Sequence, residues 1–242
     1  MPILPDDLRT ALEQGQIELQ GQFLLGSNYT FLVNVTHEGQ TFPAVYKPSR
    51  GEQPLWDFPV ASLAGREVAA YRVSEALGFQ LIPFTLLRDD GPFGPGMLQQ
   101  YIDYNPEYHY FSFKPADRAR LQPVAVFDLL ANNADRKGGH VLVEKRTRHL
   151  YAIDHGLCFH EDDKLRTVVW DFAGQAIQSE LLAAVAALRS QLGGTSELRR
   201  DLAAFLSRRE LTALAARADH LLAEPVYPAP PSDRRAYPYP PV

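Results

Sequence analysis

The sequence predicts an α+β protein made of two unequal lobes, because strands and helices are segregated along the chain. Strand-like segments occupy roughly the first hundred residues, and helical patterns dominate the remainder, with one helix among the early strands. The chain has 242 residues, of which 45% are hydrophobic, so one domain can bury a substantial core. We expect this domain at 1–223, with lobes at about 1–103 and 104–223, and a proline-rich tail at 224–242.

The first lobe is predicted from β-rich segments that turn signals separate. We expect strands at 17–20, 31–35, 44–46, 80–87 and 97–102, with turns at 26–28, 37–39 and 90–96. A loop is expected at 48–59. Helical spacing predicts a helix over 62–77, which Gly78 ends.

The second lobe is predicted to be mainly helical. Residues 124–131 are apolar on almost every side, which indicates a buried helix. Two short strands are expected at 140–143 and 149–153, and helices from 171 to 222. The prolines from Pro225 onward favour an extended, flexible end, which could alternatively bind a partner.

The composition argues against several classes of function. A net charge of −5 gives the chain no overall attraction for nucleic acid or anionic lipid. The single cysteine, Cys158, cannot form an intramolecular disulfide or a cysteine-based zinc site. We find neither a signal-peptide pattern nor an apolar stretch long enough to cross a bilayer. We therefore expect a cytoplasmic protein with no nucleic-acid partner and no stable membrane insertion.

Lys47 and Glu67 are candidates for an ion pair. Glu67 falls within the mostly apolar face of the predicted helix, where a carboxylate needs a cation or several donors. Lys47 ends an apolar strand, so its stem can be buried. Kinases hold the phosphates of ATP with a strand lysine that is paired to a helix glutamate. Taken alone, these two residues are more typical of a structural salt bridge, or of a lysine that reaches out to solvent.

Two aspartates and a glycine turn add weaker signals. Asp135 follows the buried helix and could accept a proton from a hydroxyl, although aspartate also commonly caps a turn. Asp154 ends a short strand before Gly156 and could hold Mg²⁺. The turn Gly26-Ser27-Asn28 could bring backbone N–H groups close to phosphates. The order of these four elements is that of a kinase, which favours a kinase over a chance array.

The motifs that carry these residues resemble the phosphatidylinositol 3- and 4-kinase-like superfamily. They are Ala44-Val45-Tyr46-Lys47-Pro48, Gly65-Arg66-Glu67-Val68-Ala69-Ala70-Tyr71, Asn133-Ala134-Asp135-Arg136 and Ile153-Asp154-His155-Gly156-Leu157. The resemblance is closest to the type II phosphatidylinositol 4-kinases and a bacterial phosphatidylinositol-kinase-like branch, and more distant to HipA-type kinases. It covers about residues 26–170 and implies a two-lobed protein-kinase-like fold.

The resemblance also implies a role for each matching residue. Lys47 corresponds to the phosphate-binding lysine and Glu67 to its helix partner. Asp135 corresponds to the catalytic aspartate and Arg136 to its usual neighbour, and both are expected to be catalytic together with Lys47. Asp154 corresponds to the metal-binding aspartate. Further nucleotide contacts would come from the phosphate loop (Gly26, Ser27 and Asn28) and from an adenine-binding hinge (Gln100, Tyr101 and Ile102), which is placed by chain order alone.

One position departs from the family pattern. The family usually has an asparagine five residues after the catalytic aspartate as a second metal ligand, and this chain has His140 there. Imidazole suits transition metals better than Mg²⁺. His140 could bind the metal with a preference for Mn²⁺, leave a single protein ligand and slower turnover, or mark a protein that binds nucleotide without transfer. We favour the first account.

The resemblance implies an ATP-dependent phosphotransferase that uses Mg²⁺ or Mn²⁺. The acceptor of the phosphate could be a protein, a small molecule or a lipid. A lipid is less favoured, because the chain lacks the cysteine cluster by which type II lipid kinases attach to membranes. Two alternatives remain: a kinase-fold enzyme that transfers AMP, and a nucleotide-binding pseudokinase whose tail binds a partner.

Overall fold

The computed structural model describes residues 5–23 and 29–242, and its first lobe contains a five-stranded antiparallel sheet. Phe31, Val33 and Val35 are buried at alternate positions, as the sequence pattern predicts. The strands are β1 (Gln16–Phe23), β2 (Thr30–His37), β3 (Gln40–Pro48), β4 (Thr85–Gly91) and β5 (Gly94–Gln100). Their spatial order is β1-β2-β3-β5-β4, which places β3 at the centre of the sheet.

Two helices pack in this lobe. Helix α2 (Leu63–Ala76) connects β3 to β4 and agrees within one residue with the predicted helix. Gly78 follows it with φ +67°, a conformation that glycine adopts without strain. Helix α1 (Asp6–Gln14) was not predicted, although Pro5 and two acidic residues in its first turn are start signals.

Strand β4 begins later than the sequence predicted. The prediction placed a strand at 80–87, whereas the observed strand starts at Thr85. Pro83 has no N–H group for a ladder hydrogen bond, and Gln80 has a positive φ of 51°. These two residues keep the chain irregular until after Pro83.

The second lobe is mainly helical. Helix α4 (Gln122–Ala131) is buried along most of its length. Asn132 caps its end, and the φ of 52° at this residue turns the chain into the loop that carries Asp135. The helices are α3 (Pro115–Arg118), α4 (Gln122–Ala131), α5 (Ser179–Gln191), α6 (Glu197–Leu202) and α7 (Arg208–Ala223), and the strands are β6 (Val141–Val143) and β7 (Leu150–Ala152). Single 3₁₀ turns occur at Ser49–Gly51, Tyr110–Ser112, Ala119–Leu121 and Gly138–His140. The predicted helical stretch from 171 therefore begins only at Ser179.

A buried ion pair connects the two lobes. Arg66 on α2 is fully buried and pairs with Glu210 in the first turn of α7. Glu210 also completes a capping box, because its carboxylate accepts the N–H of Ser207 at 2.8 Å while the Ser207 hydroxyl accepts the N–H of Glu210 at 3.2 Å. Such a cap stabilises a helix by about 1 kcal/mol.

The proline-rich segment 224–242 lies against the second lobe. Tyr227 is buried, and its N–H donates to the Gln175 carbonyl at 3.0 Å. Further along, Ala236 is buried and its carbonyl accepts the N–H of Thr167 at 3.1 Å. The segment that was predicted as a flexible tail is therefore hydrogen-bonded to the second lobe at these positions. Prolines lack N–H groups, but their carbonyls and those of their neighbours still accept hydrogen bonds from the body of the protein.

The architecture is α+β, with a strand-rich first lobe and a mainly helical second lobe, which confirms the predicted fold class. One hydrophobic core extends through both lobes and includes Val73 on α2, Phe127 on α4 and Leu214 on α7. None of the helices within 5–23 and 29–242 has both the length and the apolar character that crossing a membrane requires.

Candidate active site

A lysine and two carboxylates meet where the lobes face each other. Lys47, near the end of β3, places its Nζ atom 2.6 Å from Glu67 Oε1 and 2.9 Å from Asp154 Oδ1. The side chain of Glu67 is 2% exposed, that of Lys47 21% and that of Asp154 45%. We call these three residues the cleft cluster. The Lys47–Glu67 pair was predicted from the sequence, and the structure adds Asp154 to it.

Lys47 and Asp154 stay charged despite their partial burial. Burial by itself would lower the pKa of Lys47, but the charges of Asp154 and Glu67 raise it above its ordinary value. Burial would raise the pKa of Asp154, but Lys47 and then His140 hold it well below its ordinary value. At neutral pH the ammonium group of Lys47 therefore faces the ionised carboxylate of Asp154.

Asp154 has a strained backbone conformation. It follows β7 by two residues, and its φ of +63° lies in the left-handed region that aspartate adopts only occasionally. Strain of this kind is often found at functional sites, where the surrounding structure enforces it. Here the next peptide N–H, that of His155, donates to Glu67 Oε2 at 2.8 Å. This hydrogen bond ties the strained turn to α2.

His140 lies beside the Asp154 carboxylate. Its Nδ1 atom accepts the N–H of Lys137 at 3.4 Å, so the proton of the neutral ring lies on Nε2, which is 3.3 Å from Asp154 Oδ2. Burial lowers the pKa of His140 to about 4, so the ring is neutral at pH 7. In this arrangement the Nε2 atom lies next to Asp154, and the predicted role of His140 as a metal ligand stays a prediction. Within the described part of the chain, no three His, Cys, Asp or Glu side chains cluster closely enough to hold a metal ion.

Asp135 lies in the loop after α4. Its N–H donates to Asn133 Oδ1 at 2.9 Å, and its Oδ2 atom is 3.3 Å from Lys137 Nζ. Burial raises the pKa of Asp135 to about 6, Lys137 opposes the rise, and the charge of Asp154 adds to it. A carboxyl group with this pKa is mostly ionised at pH 7 and basic enough to accept a proton.

Arg136 does not face the cleft. It is fully buried and binds Asp128 with both Nε (3.1 Å) and Nη2 (3.0 Å), while Nη1 donates to the Ile153 carbonyl at 2.8 Å. Its Nη2 also lies 2.7 Å from Nε2 of His155, which must accept because a guanidinium has no lone pair to offer. We call Asp128, Arg136 and His155 the buried network. The structure therefore places Arg136, which was predicted as catalytic, in the core and not among the described residues that line the cavity.

The buried network joins the loop of Asp135 to the turn after Asp154. Thr167 adds a hydroxyl that donates to Asp128 Oδ2 at 3.1 Å. His155 Nδ1 lies 3.8 Å from Glu67 Oε2, which is too long for a hydrogen bond. Burial and the charge of Arg136 lower the pKa of His155, so the ring is neutral. The network was missed because Arg136 adjoins Asp135 in sequence, whereas its partners lie on other elements.

A cavity of about 170 Å³ opens beside the cleft cluster. Its volume is several times the roughly 30 Å³ that a water occupies in the liquid, so it has room for a phosphate-sized group. Lys47, Glu67, Asp135 and Asp154 all line it, together with Tyr29, Pro48, Glu52, Gln53, Leu55, Leu63, Ala64, Gly156 and Leu157. The predicted lysine, glutamate and two aspartates thus face one cavity.

The loop between β3 and α2 contributes residues that sequence reasoning missed. Glu52 lines the cavity and caps α2, because its carboxylate accepts the N–H groups of Leu63 at 3.1 Å and Ala64 at 2.9 Å. An acidic cap eleven residues before its helix has no local signature. This segment was predicted only as a loop.

Two predicted nucleotide-binding segments are not among the described residues that line this cavity. Gly26, Ser27 and Asn28 lie outside the described residues. Gln100 is the last residue of β5, and Tyr101 and Ile102 lead from it into the second lobe. The N–H of Gln100 donates to the Phe84 carbonyl at 2.9 Å, and the N–H of Tyr101 donates to the Pro43 carbonyl at 3.4 Å. Ile102 packs against Leu142 and Tyr151. Their assignment as an adenine-binding hinge stays a prediction.

The fold defines a class, that of two-lobed protein-kinase-like structures. Kinase CtkA of Helicobacter pylori, described as proinflammatory, superposes with a TM-score of 0.53 at 11% identity, over 88% of this chain and 94% of that one. HipA of Shewanella oneidensis, solved with HipB and operator DNA, gives a TM-score of 0.41 at 12% identity, over 92% and 70%. The first of these comparisons shows the shared fold.

The sequence matches no protein-family model. It is 40% identical to Protein Rv2133c of Mycobacterium tuberculosis over an alignment of length 272, gaps included, which covers 98% of this chain and 96% of that protein. The chain therefore belongs to the family of Protein Rv2133c.

Proposed function

We propose that this protein is an ATP-dependent kinase that transfers the γ-phosphate to a hydroxyl group. The observation that carries the proposal is the cleft cluster: Lys47 Nζ bridges Glu67 at 2.6 Å and Asp154 at 2.9 Å, on the cavity that Asp135 also lines. Kinases position ATP and its metal with this set of residue types. The kinase-like fold is consistent with the proposal, although fold alone does not establish function.

The residues around the cavity fit a nucleotide phosphate and a hard metal ion. Lys47 Nζ supplies a positive charge at the cavity wall, and the 45% exposed carboxylate of Asp154 supplies oxygen ligands. Mg²⁺ and Mn²⁺ prefer such ligands. A metal held there would supply positive charge against the phosphates. Asp154 is the candidate ligand from this chain.

Each cavity residue has a distinct role in the proposed reaction. Lys47 would bind phosphate oxygens, and Glu67 holds its ammonium group in place. His140 Nε2 lies 3.3 Å from Asp154 Oδ2, so its ring would limit the positions open to that carboxylate. Asp135 would orient the acceptor hydroxyl and take up its proton as the oxygen attacks. Positioning and charge neutralisation would supply most of the acceleration.

Several classes of molecule could supply the acceptor hydroxyl. The motif resemblance to phosphatidylinositol-kinase-like proteins supports an inositol lipid as one candidate, beside proteins and small alcohols. A pseudokinase is the second candidate function, because His140 stands at the position where the kinases that the motifs resemble have an asparagine metal ligand. Such a protein would bind ATP without forming a product.

The test is ATP turnover by the purified protein with Mg²⁺ and, separately, Mn²⁺. We expect turnover in the unaltered protein and its loss in Asp135→Ala and Asp154→Ala. Asp103→Ala is the matched control, because Asp103 is an exposed aspartate paired with Lys145 and away from the cavity. Mass spectrometry of products, with inositol lipid, protein and small alcohols as acceptors, separates a gain of phosphate from a gain of AMP. ATP binding without any product would favour the pseudokinase, and turnover unchanged in Asp154→Ala would refute the site.

A further inference from the structure

The end of the chain is bonded to the loop that carries Asp135. The carbonyl of Pro241 accepts the N–H of Gly138 at 2.8 Å, and Gly138 is three residues after Asp135. The Ala236 carbonyl accepts both the N–H of Thr167 at 3.1 Å and Nε1–H of Trp170 at 3.3 Å. We call residues 234–241 the C-terminal strap. Its two ends therefore hold two different segments of the second lobe.

A charged anchor begins the strap. Arg234 donates to the Leu165 carbonyl at 2.7 Å and to Asp163 Oδ2 at 2.6 Å. Its neighbour Arg235 is exposed and instead lies over the ring of Tyr239. The two adjacent arginines thus differ in attachment, which provides a matched pair of variants.

The segments held by the strap are also bonded to each other. The N–H of Arg136 donates to the Arg166 carbonyl at 3.0 Å, and the N–H of Val168 donates to the Arg136 carbonyl at 3.1 Å. Gly138 packs tightly in the same region, because a Cβ atom there would lie 2.7 Å from the ring of Phe111. The loop of Asp135 and segment 163–170 are thus bonded to each other, and the strap is bonded to both of them.

The strap supports the site without covering it. Among the described residues that line the cavity, none belongs to 224–242. An inhibitory segment would need to occupy the cleft or contact the cleft cluster. The strap instead binds backbone groups behind Asp135, a placement that suits a positioning role.

We propose that the C-terminal strap positions the loop of Asp135 and segment 163–170, so that its removal loosens both and lowers the rate of the chemical step. The rate effect rests on the proposed kinase function. The loosening does not, and it can be measured in a protein that turns over no ATP.

The decisive measurement is amide hydrogen exchange, followed by mass spectrometry, on the full chain and three variants. The variants are a truncation after Asp233, Arg234→Ala, and Arg235→Ala as control. Loss of the strap hydrogen bonds should speed exchange in peptides covering 135–140 and 163–170 by about tenfold in the truncation, and less in Arg234→Ala. Exchange in β2 and β3 should not change, which shows that the variants are folded. Arg235→Ala should match the full chain.

Steady-state ATP turnover on the same proteins supplies the second readout. We expect the truncation to lower kcat by about tenfold while the KM for ATP stays within about twofold, because the strap does not line the cavity. Unchanged exchange in both the truncation and Arg234→Ala would contradict the proposal that the strap orders these segments. Faster exchange with unchanged kcat would overturn its positioning role. A full-length protein that shows no turnover would instead count against the proposed function, and exchange alone would then decide whether the strap orders these segments.

Discussion

The cleft cluster and the buried network both pair carboxylates with cations, but they differ in exposure. Lys47 and Asp154 reach a cavity, whereas Arg136 and Asp128 are enclosed and each makes several hydrogen bonds. A charge that faces a cavity can bind a ligand, while a charge whose bonds are all used within the protein can only hold the protein together. Exposure, rather than residue type, thus separates the candidate chemical groups from the scaffold.

The two regions adjoin within the dipeptide Asp135-Arg136. Asp135 lines the cavity, and the next residue turns into the core to bind Asp128. The loop of Asp135 thereby gains a rigid anchor one residue from its carboxylate. The difference between the regions can be tested by breaking each one separately.

The largest effect is expected when the buried network is broken. Arg136→Ala leaves Asp128 buried beside Asn133 and Thr167 but without a counter-charge. Removing one partner of a buried ion pair costs about 3–5 kcal/mol, so the free energy of unfolding should fall by that amount. Urea unfolding measures the change. Arg200→Ala, at an exposed position on α6, should change it by less than about 0.5 kcal/mol.

An Arg136→Ala variant with unaltered stability would contradict this account of the network. A variant of normal stability and abolished turnover would return Arg136 to the catalytic role that the sequence first suggested.

A smaller effect, on turnover rather than stability, is expected in the cleft cluster. Lys47→Met keeps the apolar stem and removes the ammonium group, so kcat should fall by about a hundredfold, the usual loss for one electrostatic contact in a site. Glu67 keeps the N–H of His155 at 2.8 Å and lines the cavity, so the variant should lose less stability than Arg136→Ala. Lys145→Met, at an exposed surface pair, is the control. If Lys47→Met unfolds the protein as Arg136→Ala does, the distinction between the two regions fails.

The sequence was sufficient for the Lys47–Glu67 pair of the cleft cluster, because both residues lie on regular elements. Strand patterning placed Lys47 near the end of β3, and helical spacing placed Glu67 on the inner face of α2. The predicted two-lobed fold followed from the same patterns. Local periodicity works at these positions because the direction of each side chain is set by its own element.

The remaining features depend on contacts between distant segments, which periodicity does not encode. Arg136 has its partners on α4 and in the turn after Asp154, and the strap reaches Gly138 from the far end of the chain. The proton position on His140 depends on the N–H of Lys137, which donates to Nδ1. Composition alone suggested a free tail, because a proline-rich segment gives no sign of the donors it will meet elsewhere.

The smallest expected effect is a pH dependence that arises in the cleft. Asp135 must be ionised to accept a proton, and its pKa is raised to about 6 by burial and Asp154, against the charges of Lys137 and Arg166. Activity should therefore rise with pH through about 6, and kcat/KM should be about tenfold lower at pH 5 than at pH 7. A pH series of kcat/KM measures this, with stability checked at each pH.

Lys137→Ala sharpens the test. Lys137 Nζ lies 3.3 Å from Asp135 Oδ2 and favours the ionised carboxylate, so its removal should shift the midpoint of the pH profile upward. A midpoint that stays in place would mean that another group limits the rate, and a downward shift would mean that Lys137 does not act on Asp135 through its charge. The buried network offers no counterpart to this titration, because burial lowers the pKa of its histidine, His155, well below the neutral range. An upward shift of the midpoint in Lys137→Ala would therefore identify Asp135 as the cleft residue whose ionisation controls activity. Arg136 could not produce such a shift, because a guanidinium stays charged over this pH range.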